Sequence, residues 1–121
     1  AIFDSMILCK FVRRVFENFY SDASELLNLV TGWDLDESSL LNAAERIVAA
    51  KKLYNIRSGW LPEQDRLPDR FFSDTTGEFG TKIDRTDFAM AIQAYNVQRG
   101  WSEEGFISEA FLVRIGMAEF L

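Results

Sequence analysis

The sequence predicts an all-α protein: one helical bundle domain of about five helices across residues 1–121, with a long irregular loop over about 61–83. Three observations predict it. Apolar residues recur at steps of three and four, capping residues and glycines punctuate those runs, and no segment shows the two-residue alternation of a strand. At 121 residues the chain has the length of one domain, and with 48% apolar residues, including 11 Phe and 3 Trp, it can fill a core without disulfides.

The first helix is expected from Leu8, where Leu8, Phe11, Val12, Val15, Phe16 and Phe19 fall on one helical stripe, with Asp4 as a potential cap. Asp22 followed by Glu25 resembles a capping box for a second helix, carried by Leu26, Leu27, Leu29 and Val30 to Gly32. A third opens at Asp36 and carries Leu40, Ala44, Ile47, Val48 and Tyr54 toward Gly59. Between Leu61 and Ile83 the periodicity stops, both prolines occur, and a single helical turn is expected at "LPDRFF". Asp84 can cap a fourth helix with Phe88, Ala91, Ile92 and Tyr95. Ser108 can cap a fifth with Phe111, Leu112 and Ile115.

Each tryptophan follows glycine, in "TGW", "SGW" and "RGW". Glycine accepts the left-handed backbone that ends a helix, and the apolar residue after it is expected to pack back on the last turn.

Charge and residue types exclude several functions. A net charge of -6 opposes binding to a phosphate backbone, so nucleic acid is not the expected partner. No apolar run approaches the roughly 20 residues of a membrane span, and no signal peptide is recognisable at the start, so a cytoplasmic protein is expected. With one Cys and no His the chain cannot assemble a zinc site or a His-based triad from its own residues, and no catalytic residue is assigned. "WSEEGFISEAF" has the glycine of a calcium loop but lacks its carboxylates. "SDTTGEFGTKID" lacks the Gly-Lys-Ser/Thr ending of a phosphate loop.

Cys9 admits two readings. Its spacing with Val12 and Phe16 suits a small apolar residue at the edge of the stripe. Its place in the first turn of a helix suits a thiolate, since unpaired amides and the helix dipole favour negative charge there, and iron-sulfur clusters bind thiolates.

"DSMILCKF" resembles the Asp-x-x-Gly-Leu-Cys segment of the aldehyde:ferredoxin oxidoreductase family. "LLNLVTGWDL", "AERI", "NIRSGW", "LPDRFF", "YNVQRGW" and "ISEAFLVRIGM" resemble the rest of that family's C-terminal region, in the same order. The resemblance implies an all-α C-terminal domain of an enzyme that oxidises aldehydes to carboxylic acids at tungsten, or molybdenum, held by two pterins, with electrons leaving through a [4Fe-4S] cluster to ferredoxin. It implies Cys9 as one cluster ligand, and Asp4 and Leu8 as pterin contacts. Ile7 stands where the family has glycine, the residue that permits close backbone approach.

The implied partners are the remaining N-terminal domains of the same enzyme and ferredoxin, with a homo-oligomer compatible. The chain alone is expected to hold no cofactor and to be inactive. The alternative is a stand-alone helical binding or assembly domain that has lost the cofactor role.

Overall fold

Helix termini organise this molecule as much as helix interiors do. The computed structural model describes residues 1–73 and 82–120, so most of "SDTTGEFGTKID" lies outside the described residues. The described residues form α1 (Ile2–Ser5), α2 (Phe19–Thr31), α3 (Glu37–Arg57), α4 (Arg70–Ser73), α5 (Arg85–Gln98) and α6 (Glu109–Arg114), with 3-10 helices at Lys10–Val15, Pro62–Gln64 and Ala118–Phe120. No strand occurs among them, as the periodicity predicts. None of these helices is long and apolar enough to cross a membrane. Two compact units are formed, Ala1–Lys52 and Leu53–Leu121.

In the first unit Ile2, Ala23 and Leu40 are the buried centre, with Met6, Phe19, Tyr20, Leu27, Ala43, Ala44 and Ile47 packed around them. Phe3 stacks on Phe19 with ring centroids 4.6 Å apart, and Phe16 meets both rings edge-on. Such pairs add to area burial and fix α1 against the start of α2.

The continuous helix expected from Leu8 to Phe19 does not form. The chain is extended at Cys9 and at Phe16, with a 3-10 helix between them. The physical reason is coverage: Phe16 and Phe19 have an aromatic partner in Phe3, whereas Phe11 is 93% exposed and Val15 77%. Without packing on its apolar stripe, a short α-helix is marginal. The second helix also starts earlier than expected. Asp22 accepts hydrogen bonds from the Glu17 and Asn18 amides, 3.0 and 3.2 Å, so its carboxylate closes the turn that precedes Phe19.

The caps predicted at Asp36, Asp84 and Ser108 form. Asp36 accepts from the Ser39 amide at 2.8 Å, Asp84 from Thr86 and Asp87, and Ser108 from Phe111. The turn expected in "LPDRFF" is α4. In the second unit Trp101, Phe111, Leu112, Ile115 and Met117 are buried, and Asn96 is 2% exposed.

The three Gly-Trp stops divide into two kinds. At Gly59 and Gly100 the glycine amide bonds the carbonyl three residues back and the Trp amide bonds the carbonyl five back: Trp60 to Asn55 at 2.9 Å and Trp101 to Asn96 at 3.0 Å. This is the Schellman pattern, which folds the following residue over the last turn. Trp60 then meets Phe106 edge-on, and Trp101 is buried against Tyr95.

Gly32 instead bonds Asn28 four residues back, and the Trp33 amide bonds the Thr31 hydroxyl. Trp33 is left 60% exposed, which corrects the expectation that all three pack back. The bond that folds the following residue back is missing at that turn.

All three stops read Asn-x-x-x-Gly-Trp, at Asn28, Asn55 and Asn96. The Asn28 side chain both donates to and accepts from the backbone of Leu35, and the Asn96 side chain donates to the Glu103 carbonyl at 2.9 Å. An amide carries a donor and an acceptor, so it can hold a returning loop seven residues ahead.

Candidate functional site

The segment that carries the predicted site residues ends α1 by the same turn chemistry. The Ile7 amide bonds the Asp4 carbonyl at 3.3 Å and the Leu8 amide bonds the Phe3 carbonyl at 2.9 Å, again a Schellman pattern, with Ile7 in the position usually held by glycine. Ile7 has φ 56°, and its side chain is 92% exposed. A β-branched residue with positive φ is a backbone outlier, strained by order 1–2 kcal/mol. Glycine at this place in the resembled motif thus has a reason in backbone conformation, apart from any close approach of a ligand.

Phe3, held between Phe16 and Phe19, anchors this turn. Asp4 lies within α1 and its side chain is 81% exposed. Leu8 is half-buried, and Cys9 is exposed with extended backbone, heading the 3-10 helix. Two expectations are corrected. Asp4 caps no helix, and Cys9 precedes a 3-10 helix, where the Val12 amide bonds its carbonyl at 3.0 Å. Nor is Cys9 packed within this chain as a small apolar residue, since it is exposed.

The segment holds a carboxylate and a thiol five residues apart, both exposed, with the Asp4 carboxylate 3.6 Å from the Ala1 ammonium. A thiolate is the donor that iron-sulfur clusters take, and a carboxylate accepts from N-H groups such as those of a pterin. Among the described residues no group of three or more Cys, Asp or Glu is placed to hold a metal ion.

Sequence reasoning missed a cavity of about 410 Å³ in the second unit, lined by Leu67, Phe72, Phe88 and Ile92 with Asp69 and Arg85. Arg85 bonds Asp69 at 2.9 Å, and its guanidinium lies over the Phe72 ring, 4.3 Å from the centroid. The Arg85 hydrogen bond, then its charge, hold the Asp69 carboxyl below the usual range. The signal was thin: Leu67, Asp69 and Phe72 lie in "LPDRFF", whose pairing with residues of α5 no spacing in the sequence announces.

The sequence matches the family described as "Aldehyde ferredoxin oxidoreductase, domains 2 & 3" over residues 1–117. It is 35% identical over 121 residues to the tungsten-containing aldehyde ferredoxin oxidoreductase of Pyrococcus furiosus, covering 99% of this chain and 20% of that protein. The proteins of the same description from Pyrococcus horikoshii and Thermococcus kodakarensis are each 33% identical over 122 residues, covering 100% of this chain and 20% of theirs. The chain thus spans about a fifth of the length of these relatives. A match along all but the last few residues, in one order, leaves one conclusion: this chain belongs to the aldehyde ferredoxin oxidoreductase family.

Proposed function

We propose that this chain is the C-terminal helical part of a cytoplasmic enzyme that oxidises aldehydes to carboxylic acids, with ferredoxin as electron acceptor. Cys9 is one ligand of a [4Fe-4S] cluster, and Asp4 and Leu8 contact a pterin that holds tungsten, or molybdenum. The observation that supports this reading is the joint exposure of the Cys9 thiol and the Asp4 carboxylate on one hydrogen-bonded turn.

When bound, the metal-pterin and cluster supply the redox chemistry by which an aldehyde and a water become a carboxylic acid, with two protons and two electrons released. This chain's residues position those groups. The Cys9 thiolate would give one sulfur to iron. The Asp4 carboxylate accepts hydrogen bonds from pterin N-H groups, and half-buried Leu8 offers an apolar contact beside it. Carried on one short segment, these contacts would hold cluster and pterin close together, as electron transfer between them requires. In this reading both compact units work as one C-terminal domain of the enzyme.

The alternative of a stand-alone binding module rests on Ile7 in place of glycine. Ile7 keeps the left-handed conformation and both hydrogen bonds of the turn, so the substitution leaves the backbone of the segment intact while adding an exposed side chain that glycine lacks.

The test uses the intact gene product. Cys9→Ser is expected to abolish or shift the [4Fe-4S] electron paramagnetic resonance signal and to lower iron content, while Asp4→Ala lowers pterin and tungsten content with the cluster retained. A cluster signal unchanged in Cys9→Ser removes Cys9 from the ligand set.

A further inference from the structure

The two Gly-Trp stops of Schellman type lead into acidic segments, "LPEQD" after Trp60 and "SEEG" after Trp101. Trp60 meets Phe106 edge-on with ring centroids 5.7 Å apart, which brings the two segments together within the second unit. Glu63 and Asp65 from one segment and Glu103 and Glu104 from the other line the cavity of about 410 Å³, whose apolar side is Leu67, Phe72, Phe88 and Ile92. That volume lies in the range of small-molecule sites, which combine an apolar wall with a few placed polar groups.

The acidic segments are held in place by hydrogen bonds at the stops. Asp65 accepts from the Trp60 indole N-H at 3.0 Å, the Leu61 amide donates to the Gln64 side chain at 3.0 Å, and the Asn96 side chain donates to the Glu103 carbonyl at 2.9 Å. Charge in the cavity is unequal. Five carboxylates line it against two guanidiniums, those of Arg66 and Arg85, and both guanidiniums act on Asp69. Glu63, Glu103 and Glu104 are exposed and belong to no ion pair among the described residues. The Glu104 backbone amide first, then the Ser102 hydroxyl, hold the Glu104 carboxyl below its ordinary range, so it is ionised at neutral pH. The apolar wall already seats one cation, the Arg85 guanidinium 4.3 Å from the Phe72 centroid.

We propose that this cavity binds an organic ammonium ion, with its apolar body against Leu67, Phe88 and Ile92 and its charge toward Glu63, Glu103 and Glu104. An anion would have only Arg66 and Arg85 to meet, and would compete with Asp69 for them. The site uses no residue of the Cys9 segment, so it stands whether or not Cys9 is a cluster ligand.

The test is calorimetric titration of the full-length protein with three probes that share one body: 3-phenylpropylammonium, 3-phenylpropan-1-ol and 3-phenylpropionate. The ammonium is expected to bind with a Kd of about 1 mM, about tenfold more tightly than the alcohol, with the carboxylate weakest. Glu63→Gln combined with Glu103→Gln, both at exposed positions, is expected to weaken the ammonium by about three- to tenfold and to leave the alcohol unchanged. Ala89→Phe, at an exposed α5 position on the cavity, fills space and is expected to weaken ammonium and alcohol alike. The proposal is overturned by an ammonium that binds no more tightly than the alcohol, by a carboxylate that binds best, or by no saturation below about 10 mM. Ammonium affinity unchanged in either variant overturns it as well, since the probe then sits elsewhere.

Discussion

The turns at Ile7 and at Gly100 have the same backbone hydrogen bonds and opposite surroundings. At Gly100 a Cβ would meet the Phe111 ring at 3.0 Å, and the next residue, Trp101, is buried. At Ile7 the side chain is 92% exposed, and the next residues are half-buried Leu8 and exposed Cys9. One turn serves packing, and its glycine is required twice, for its φ of 77° and for space. The other serves presentation. It carries strain in the open, where a large side chain meets no obstacle but its own backbone. The same local motif can thus close a core or display a thiol, and which it does depends on what lies ahead of it in space.

That contrast can be broken in order of size. Phe111, 5% exposed, forms the floor under Gly100, so Phe111→Ala is expected to cost about 3–5 kcal/mol. Faster hydrogen exchange at the Trp101 amide reads it; unchanged protection would mean that the turn does not depend on the core beneath. Gly100→Ala is expected to cost about 2–3 kcal/mol from positive φ and the ring contact together. In a Phe111→Ala background only the backbone part, about 1 kcal/mol, should remain.

Ile7→Gly goes the other way. Relief of about 1–2 kcal/mol of strain exceeds glycine's entropic cost of about 0.5–1 kcal/mol, so exchange at the Leu8 amide should slow by a few-fold. Faster exchange there would show that Ile7 contributes packing in the intact protein.

The smallest effect is electrostatic and belongs to the second unit alone. The Asp87 amide first, then that of Thr86, hold the Asp84 carboxyl below its ordinary range. A depressed folded value means that Asp84 stabilises α5 above the ordinary aspartate range and loses this as pH falls through the lower folded value. Asp84→Asn keeps a capping oxygen without the charge. Exchange at the Asp87 amide should then lose its acid dependence while remaining protected at neutral pH.

Helix stops were legible in the residues because their causes are local. Gly32, Gly59 and Gly100 adopt positive φ as "TGW", "SGW" and "RGW" imply, and Asp36, Asp84 and Ser108 cap as expected. The Asn-x-x-x-Gly-Trp repeat is equally present in the letters, but its meaning lies in a hydrogen bond seven residues ahead, at Leu35 and Glu103. The site was legible as a resemblance: Asp4, Leu8 and Cys9 could be named, but not the turn that sets them.

By itself the sequence determined the all-α class, the places where most helices begin and stop, and the family, since each follows from short-range chemistry or from the order of motifs. Only the tertiary structure decided that Leu8 to Phe19 is not one α-helix, that Trp33 stays exposed while Trp101 is buried, and that Cys9 is exposed. Periodicity shows which residues share a face; whether that face is covered depends on residues distant in the chain, here Phe3 against Phe16 and Phe19, while Phe11 is left exposed.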